Sequence, residues 1–582
     1  MKIERIFFFV LLLCFSTICS WSQEQIEEKS TIERIYVSTD KECYVAGESI
    51  WISMFCFNVA DSFPKLSKIS AVAYVELRSL SGVAAKTKIA LFSGRGSGNL
   101  ELPLSTPTGN YRLIAYTSHM LNEKKVIYFD KVVSVFNTLT NERDSSVIVE
   151  NGDSLLITDE TTTLETQPIL MEAPKTVILN LPDKPLKSNS NVQFSFSNKY
   201  DKEITMCVSI VNEDKISTYK NLPIYNYIAS GYSNVESMLN FKFIPEYEGE
   251  IIKGGVSIAN SKGDINKLVG QTAFLSVLGG DCEVYTSSID SLGRFTFYTT
   301  NVYGNTDLIF ELPYLDTNYK FNVALDDNFL YPDIKKIPSL VLKPIYSEDL
   351  LKRGISMQLG KRYGVDSLFT KEIPFHNPLF SGNCISYLLD NYTRFPVMEE
   401  VMIEFIPELR FRRIDKNYFL QVRWESSFRE LSFSRDNSLT VVDGVPVFNH
   451  NVIHDYDPLK VKKIDIYGGT YSLGDADFTG IVFFKTYKGD FPNYSLPVNA
   501  RILAFNGATL PCRLIDSNFK SWENMPDYRT TIFWEPNIRL LPNESLGFEF
   551  HVPDYSGTFV ITVEGIDSSG SPIYLQTKFT TN

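Results

Sequence analysis

Short runs of alternating residues, each closed by a turn former, recur along this chain and leave helical periodicity in only two brief stretches. That pattern confines the fold to antiparallel sheet. A period of two buries one face of a strand, and a tight turn brings the next strand back beside it. Ile50, Ile52, Met54 and Cys56 alternate with Trp51, Ser53, Phe55 and Phe57, so this strand is apolar on both faces. Val192, Phe194 and Phe196 alternate with Gln193, Ser195 and Ser197, which implies one buried face, and Ile204, Met206, Val208 and Ile210 repeat the pattern. Tyr111 to Tyr116 leaves the turn-forming Pro107-Thr108-Gly109 as a further strand. The 31 Tyr and 41 Phe reinforce the bias towards sheet. The expected fold class is mainly β: tandem antiparallel β-sandwich modules with one small α+β domain near the C-terminus.

A chain of 582 residues holds about four domains at roughly 150 residues each. Its first residues read as an export signal. Lys2 and Arg5 precede the apolar Ile6 to Phe15, and Ser20-Trp21-Ser22 places small residues at the cleavage positions, with Gln23 as the mature start. Lipidation at Cys14 or Cys19 is disfavoured, because Leu13 and Ile18 stand where a small residue is needed. No later stretch is long enough to span a bilayer as a helix. The net charge of -13 argues against nucleic acid as a partner. The six remaining cysteines are scattered without a CxxC, so no zinc ribbon or redox pair is written here, and Cys56 reads as a core thiol.

Four segments carry resemblances. Asp40-Lys41, Tyr44, Gly47-Glu48 and Trp51, followed by Gly98-x-Leu100-x-Leu102-Pro103 and Thr106-x-x-Gly109-x-Tyr111, resemble the second macroglobulin domain of the alpha-2-macroglobulin family. The thioester Cys-Gly-Glu-Gln of that family's protease traps does not occur in the sequence, so covalent trapping is not implied. Gly254-Gly255-Val256 to Arg294-Phe295-Thr296-Phe297 resembles the carboxypeptidase-regulatory-like sandwich. Asn437 to Phe491 contains Val442-Asp443-Gly444-Val445-Pro446, then Asp457-Pro458 and Val461 to Tyr467, then Gly480-Ile481-Val482-Phe483-Phe484-Lys485-Thr486. That order resembles the plug domain of TonB-dependent transporters, although too little chain follows to form their barrel. Asp527-Tyr528-Arg529-Thr530-Thr531-Ile532-Phe533-Trp534-x-Pro536 resembles a terminal module of macroglobulin-plug proteins of Gram-negative envelopes.

The implied layout is a signal peptide over 1–22, a macroglobulin-type sandwich over 23–136, a linker over 137–173 and a sandwich over 174–238. A carboxypeptidase-regulatory-like sandwich over 239–345, a plug-like α+β domain over 346–493 and a final sandwich over 494–582 complete it. Leu350, Leu351, Ile355 and Leu359 predict an amphipathic helix within 347–363, and Ile385 to Tyr392 suggests a second.

Catalytic motifs are missing: the sequence has no Walker loop, HExxH or GxSxG, and Gly94-x-Gly96-x-Gly98 leads into a strand and not a helix. The reading is therefore non-enzymatic, with no cofactor. His450 and His454, four residues apart with Asp457 near, are weak metal candidates, set against a polar surface loop as the plainer reading. Glu399, Glu400 and Glu404 beside Met398 and Met402 read as the solvated face of an amphipathic element. Three Asp-Ser-Leu triplets, at Asp153, Asp290 and Asp366, resemble the acceptor of a bacterial O-glycosylation system. The expected contact is the loop Asn449, His450, His454, Asp455, Tyr456, Asp457 and Pro458, docking on an outer-membrane protein or a TonB-dependent transporter-type complex. The expected location is the periplasm, the outer membrane or the cell surface. The alternative is a surface protein of a nutrient-uptake system that binds or processes polysaccharide or peptide.

Overall fold

The computed structural model describes residues 31–582 except 61–63, 151–174, 183–184, 214, 217–218, 232–241, 260–264, 280–282, 335, 365–368, 372–383, 426–430, 434–437, 475, 492–494 and 515–526. The export segment and the triplets at Asp153 and Asp366 lie outside the described residues. The first unit is a nine-stranded sandwich. Its main path runs Glu33–Thr39, Ser49–Asn58, Arg95–Glu101, Gly82–Phe92, Val72–Ser79, Gly109–Tyr116, Phe129–Phe136 and Cys43–Val45. Ser49–Asn58 is buried along nearly its whole length, as its two apolar faces require. The glycine cluster forms a two-residue hairpin turn, with Ser93 and Gly94 at φ of 50° and 79° between paired Phe92 and Arg95. Cys43 and Cys56 are both buried.

The second sandwich corrects the expected layout. Asn191–Ser197 pairs with Ile178–Asn180 and with Ser545–His551. Ile204–Asn212 pairs with Thr531–Leu540 and Thr558–Asp567, and the latter carries Pro572–Thr580. Segments 174–238 and 494–582 are therefore not two units, because their strands interleave in common sheets around one core. The reason is area. Two long strands from the first segment cannot cover the face made by Phe194, Phe196, Met206 and Ile210 without Phe533, Phe550, Phe559 and Ile561 from the second. A third sandwich also borrows from the C-terminal segment. Ile251–Ile258 pairs with Arg294–Tyr298 and Phe321–Leu325, while Asn305–Glu311 pairs with Thr272–Val277 and with Ala500–Asn506. Part of the expected linker is strand, since Val147–Val149 runs parallel to Leu340–Leu342.

The α+β unit holds a five-stranded sheet in the order Cys384–Leu388, Val461–Leu473, Ala476–Thr486, Leu439–Val442 and Val445–Pro446. The helix suggested for Ile385 to Tyr392 is instead a strand ending in a short 3-10 turn, because residues 384–388 pair with 463–467. Met398–Phe405 is helical, with Met398 and Met402 buried as expected and Val401 buried beside them. The Asp443-Gly444 turn has both residues at positive φ, 47° and 85°, and Val442 faces Val445 across it. The Asp443 carboxylate then closes the unit. It accepts the Thr486 N–H at 2.8 Å, the Thr486 hydroxyl at 2.6 Å and the Phe491 N–H at 2.9 Å.

Gly480, in the middle of Ala476–Thr486, has φ of 84°, and a Cβ there would stand 2.4 Å from the Cβ of Val422. Backbone strain and overlap act together, so Gly480→Ala should destabilise the α+β unit by roughly 2–4 kcal/mol. Urea denaturation followed by tryptophan fluorescence measures it, and an unchanged midpoint would contradict this packing.

Candidate functional site

The loop expected to make the contact is mostly packed. The helical turn Asn451–His454 follows Asn449 and His450. His450 is buried, and its Nδ1 accepts the Leu420 N–H at 2.9 Å while Nε2 lies 3.3 Å from the Thr440 hydroxyl. Burial holds this imidazole neutral and lowers its pKa to about 4. His454 stacks on Tyr418 with ring centroids 3.6 Å apart, and its Nδ1 meets Asp455 at 2.7 Å. Asp457 accepts the Leu459 N–H at 2.9 Å and so caps the turn Pro458–Lys460, in which Pro458 is buried. The Tyr456 ring packs edge-on against Phe491. Only Asn449 and Asp455 of the expected contact set are exposed. His450, His454 and Asp457 do not converge, and no group of three metal-ligating side chains occurs among the described residues. Of the seven expected contact residues, His450 and Pro458 are buried and His454, Tyr456 and Asp457 are partly buried.

A different place brings sequence motifs together. Cys43–Val45 ends in a turn where Gly47 has φ of 95° and the Glu48 N–H donates to the Val45 carbonyl at 3.0 Å. A Cβ on Gly47 would stand 2.6 Å from Leu104 and 3.1 Å from the Met357 sulfur, so glycine is required there. Asp40 is buried and saturated: Oδ1 accepts the Tyr44 hydroxyl at 2.6 Å and the Trp51 N–H at 3.2 Å, and Oδ2 accepts the Thr531 hydroxyl at 2.6 Å. Lys41 Nζ reaches Glu48 at 3.1 Å and the Thr530 hydroxyl at 3.1 Å. Burial, with the Asp40 charge beside it, holds the Tyr44 phenol well above its ordinary value.

The Asp40-to-Trp51 motif and the Asp527-to-Pro536 motif thus meet, although Asp40 and Thr531 are 491 positions apart. The helix Ser347–Tyr363 lies against both. Arg353 donates to the Cys43 carbonyl at 2.7 Å, and the Ser356 hydroxyl donates to the Tyr528 carbonyl at 2.7 Å. Between the three elements runs a groove of about 100 Å³, walled by Lys41, Glu48, Trp51, Lys361, Tyr528 and Arg529 among others. Asp527 grips Arg529 through two oxygens, while Tyr528 is 43 % exposed at the rim.

Sequence reasoning found both motifs but not their meeting, and it missed the side chains that fasten the surrounding joint. Arg95 donates to the Pro536 carbonyl at 2.6 Å and the Met54 carbonyl at 2.8 Å, and burial lowers its pKa to about 10. Glu564 accepts the Tyr36 hydroxyl at 2.8 Å and the Ser38 hydroxyl at 2.6 Å. Isolated charged residues in apolar strands are the only signal of such a joint in the sequence.

No protein-family model matches the chain, and no curated protein matches it. Among solved structures, the native conformation of Escherichia coli alpha-2-macroglobulin aligns at 9 % identity with a TM-score of 0.24, covering 96 % of this chain and 40 % of that one. Salmonella alpha-2-macroglobulin reacted with methylamine gives 9 % identity and a TM-score of 0.23, covering 94 % and 39 %. The Escherichia coli adhesin FdeC gives 9 % and 0.14, covering 49 % and 60 %. The chain spans about two-fifths of the length of these macroglobulins. At these TM-scores the likeness carries no argument, and none of the three structures is a TonB plug.

Two buried groups set opposite pH trends. Burial lifts Glu311, in Asn305–Glu311, to about 8, so the folded chain keeps a proton that the unfolded chain releases. That contribution is complete below the ordinary carboxyl value and is lost as pH rises towards 8. His450, depressed to about 4, contributes fully above its ordinary value of 6.5 and loses its contribution as pH falls. Between pH 6.5 and 8 the His450 contribution is constant, and Glu250, which burial raises to about 7, titrates beside Glu311, so the comparison with a Glu311 variant isolates the Glu311 trend. Stability of the parent chain should fall there by about 2 kcal/mol more than that of Glu311→Gln. Urea midpoints at the two pH values check it, and parallel slopes would contradict it.

Proposed function

We propose that this chain is an exported, non-catalytic binding protein of the bacterial envelope, whose contact site is the groove between the Asp40-to-Trp51 segment, residues 527–531 and the Ser347–Tyr363 helix. The observation that carries the reading is the convergence there of two motifs far apart in sequence, with Thr531 donating to Asp40 and Lys41 donating to Thr530. The acids within it are held by structural hydrogen bonds. Glu48 accepts the Lys41 ammonium at 3.1 Å and the Val45 N–H at 2.8 Å, and Asp527 is engaged by Arg529, so neither is poised as a general acid or base. What the groove offers a partner is an aromatic and charged rim, the composition of a recognition surface. The partner class proposed is an outer-membrane protein or transporter-type complex, in keeping with the export signal and the plug-like sequence order of residues 437–491.

A second reading rests on one specific feature. Asn180, Gln193, Ser195, Gly547 and Glu549 line a shallow trough of about 700 Å³ on the outer face of the three-stranded sheet. Its amides, hydroxyl and carboxylate suit a polysaccharide or an extended peptide.

A photo-crosslinking amino acid at Tyr528 in the native envelope should capture a defined partner, whereas the same probe at Asn180 should not. Tyr528→Ala combined with Lys361→Glu should reduce capture at least about tenfold, as expected for rim residues acting together, with far-UV CD unchanged. Capture at Asn180 alone would move the function to the trough, and turnover of any polymer by the purified protein would end the non-catalytic reading.

A further inference from the structure

The Ser347–Tyr363 helix forms where its apolar spacing predicts, but it is turned the other way. Its buried residues are Arg353, Gly354 and Met357. Gly354 has Thr138 against it, where a Cβ would stand 2.8 Å from the threonine hydroxyl. Leu351 is 65 % exposed and Ile355 is 45 % exposed, with Leu359 half-buried. At about 100° per residue, Glu348, Leu351, Ile355, Leu359 and Arg362 fall within one sector of about 80°, opposite the buried face. An apolar ridge facing water over about 12 Å, from Leu351 to Leu359, marks a surface that another element covers.

The order of residues along this ridge identifies the occupant. Reading outward from Ile355, four steps in either direction reach leucine, Leu351 and Leu359, and seven steps reach opposite charges, Glu348 and Arg362. When two copies of one helix lie antiparallel about a two-fold axis, residue i faces residue j and j faces i. An axis at Ile355 sets Ile355 on its own copy, Leu351 on Leu359 of the other copy, and Glu348 on its Arg362. A parallel pairing would set Glu348 on Glu348 and Arg362 on Arg362. We propose that the exposed ridge of Ser347–Tyr363 is a homodimer contact in which this helix pairs antiparallel with a second copy of the chain, centred on Ile355. Contacts built from one short helix per partner fall at the small end of specific interfaces, below about 1,200 Å², so the dimer is weak and forms at micromolar concentrations or above.

Sedimentation equilibrium of the purified mature chain tests this. A concentration-dependent dimer is expected, and Ile355→Glu, which sets two like charges on the axis, should weaken it at least about tenfold. Glu348→Arg and Arg362→Glu should each weaken it several-fold, and the double variant should restore it, because the pairing is reciprocal. Ile355→Cys should oxidise to a covalent dimer far faster than a cysteine placed at Lys352 or Gln358. These residues are exposed, so far-UV CD should not change. A monomer at every concentration, or a dimer indifferent to Ile355→Glu and to the charge exchange, would overturn the proposal. Partner capture at Tyr528 is read separately, so failure of the dimer contact is distinguishable from failure of the groove.

Discussion

A buried guanidinium holds this molecule to one arrangement. Arg95 lies between the first sandwich and the strand Thr531–Leu540, where its donors meet the carbonyls of Met54 and Pro536 and the Ser53 hydroxyl. Its planar face covers the Phe55 ring. Removing a charge from water costs several kcal/mol unless its donors are satisfied. Here the required acceptors come from segments more than 400 positions apart. The last segment of the chain therefore supplies an acceptor that this buried charge requires. Glu564, with Tyr36 and Ser38, imposes the same condition from the opposite side, an acceptor on the C-terminal part serving donors on the N-terminal part. Such a joint specifies position in a way that apolar contact alone does not, since a sliding displacement would leave charges without partners.

Residues 174–238 look like an independent unit in the sequence, yet their strands share sheets with the C-terminal segment. Alternation in Asn191–Ser197 and Ile204–Asn212 shows that each strand has an apolar face, and both strands form as expected. Alternation does not name the strand that lies alongside. Partnership is decided by the summed area of faces, and apart from the short Ile178–Asn180 the partners of both strands lie beyond residue 530. Local signals fared better where chemistry is local. Asp443-Gly444 makes its positive-φ turn, and the Gly47 turn forms at φ of 95°, because each depends on the residues within it.

The contact site was legible in its parts and not in its assembly. The Asp40-to-Trp51 motif was visible as a motif, but its role as a hydrogen-bonded platform depends on Thr530 and Thr531. At residues 449–458 packing takes up side chains whose polarity alone suggests surface. A polar loop with two histidines looks like surface, yet the Leu420 N–H and the Thr440 hydroxyl take up the ring of His450, and Tyr418 covers His454. A histidine supplies a donor and an acceptor at neutral pH, so a buried site offering the complementary pair can absorb it without charge. The helix Ser347–Tyr363 gave a correct element and a wrong face. Its Arg353 turns inward because the Cys43 carbonyl needs a donor, and Gly354 allows close approach to Thr138.

That orientation ties the two proposed surfaces together. Leu359 belongs to the wall of the groove as well as to the outward ridge, and Ser356 lies beside both while donating to the Tyr528 carbonyl. A second copy seated on the ridge would pack against Leu359, whose side chain borders the space a partner enters. Any change there in rotamer or in helix position is felt by both occupants, and such coupling is reciprocal in free energy. The rigid joint at Arg95 and Glu564 leaves the helix, with its single turn of buried contacts, as the element through which the coupling would act.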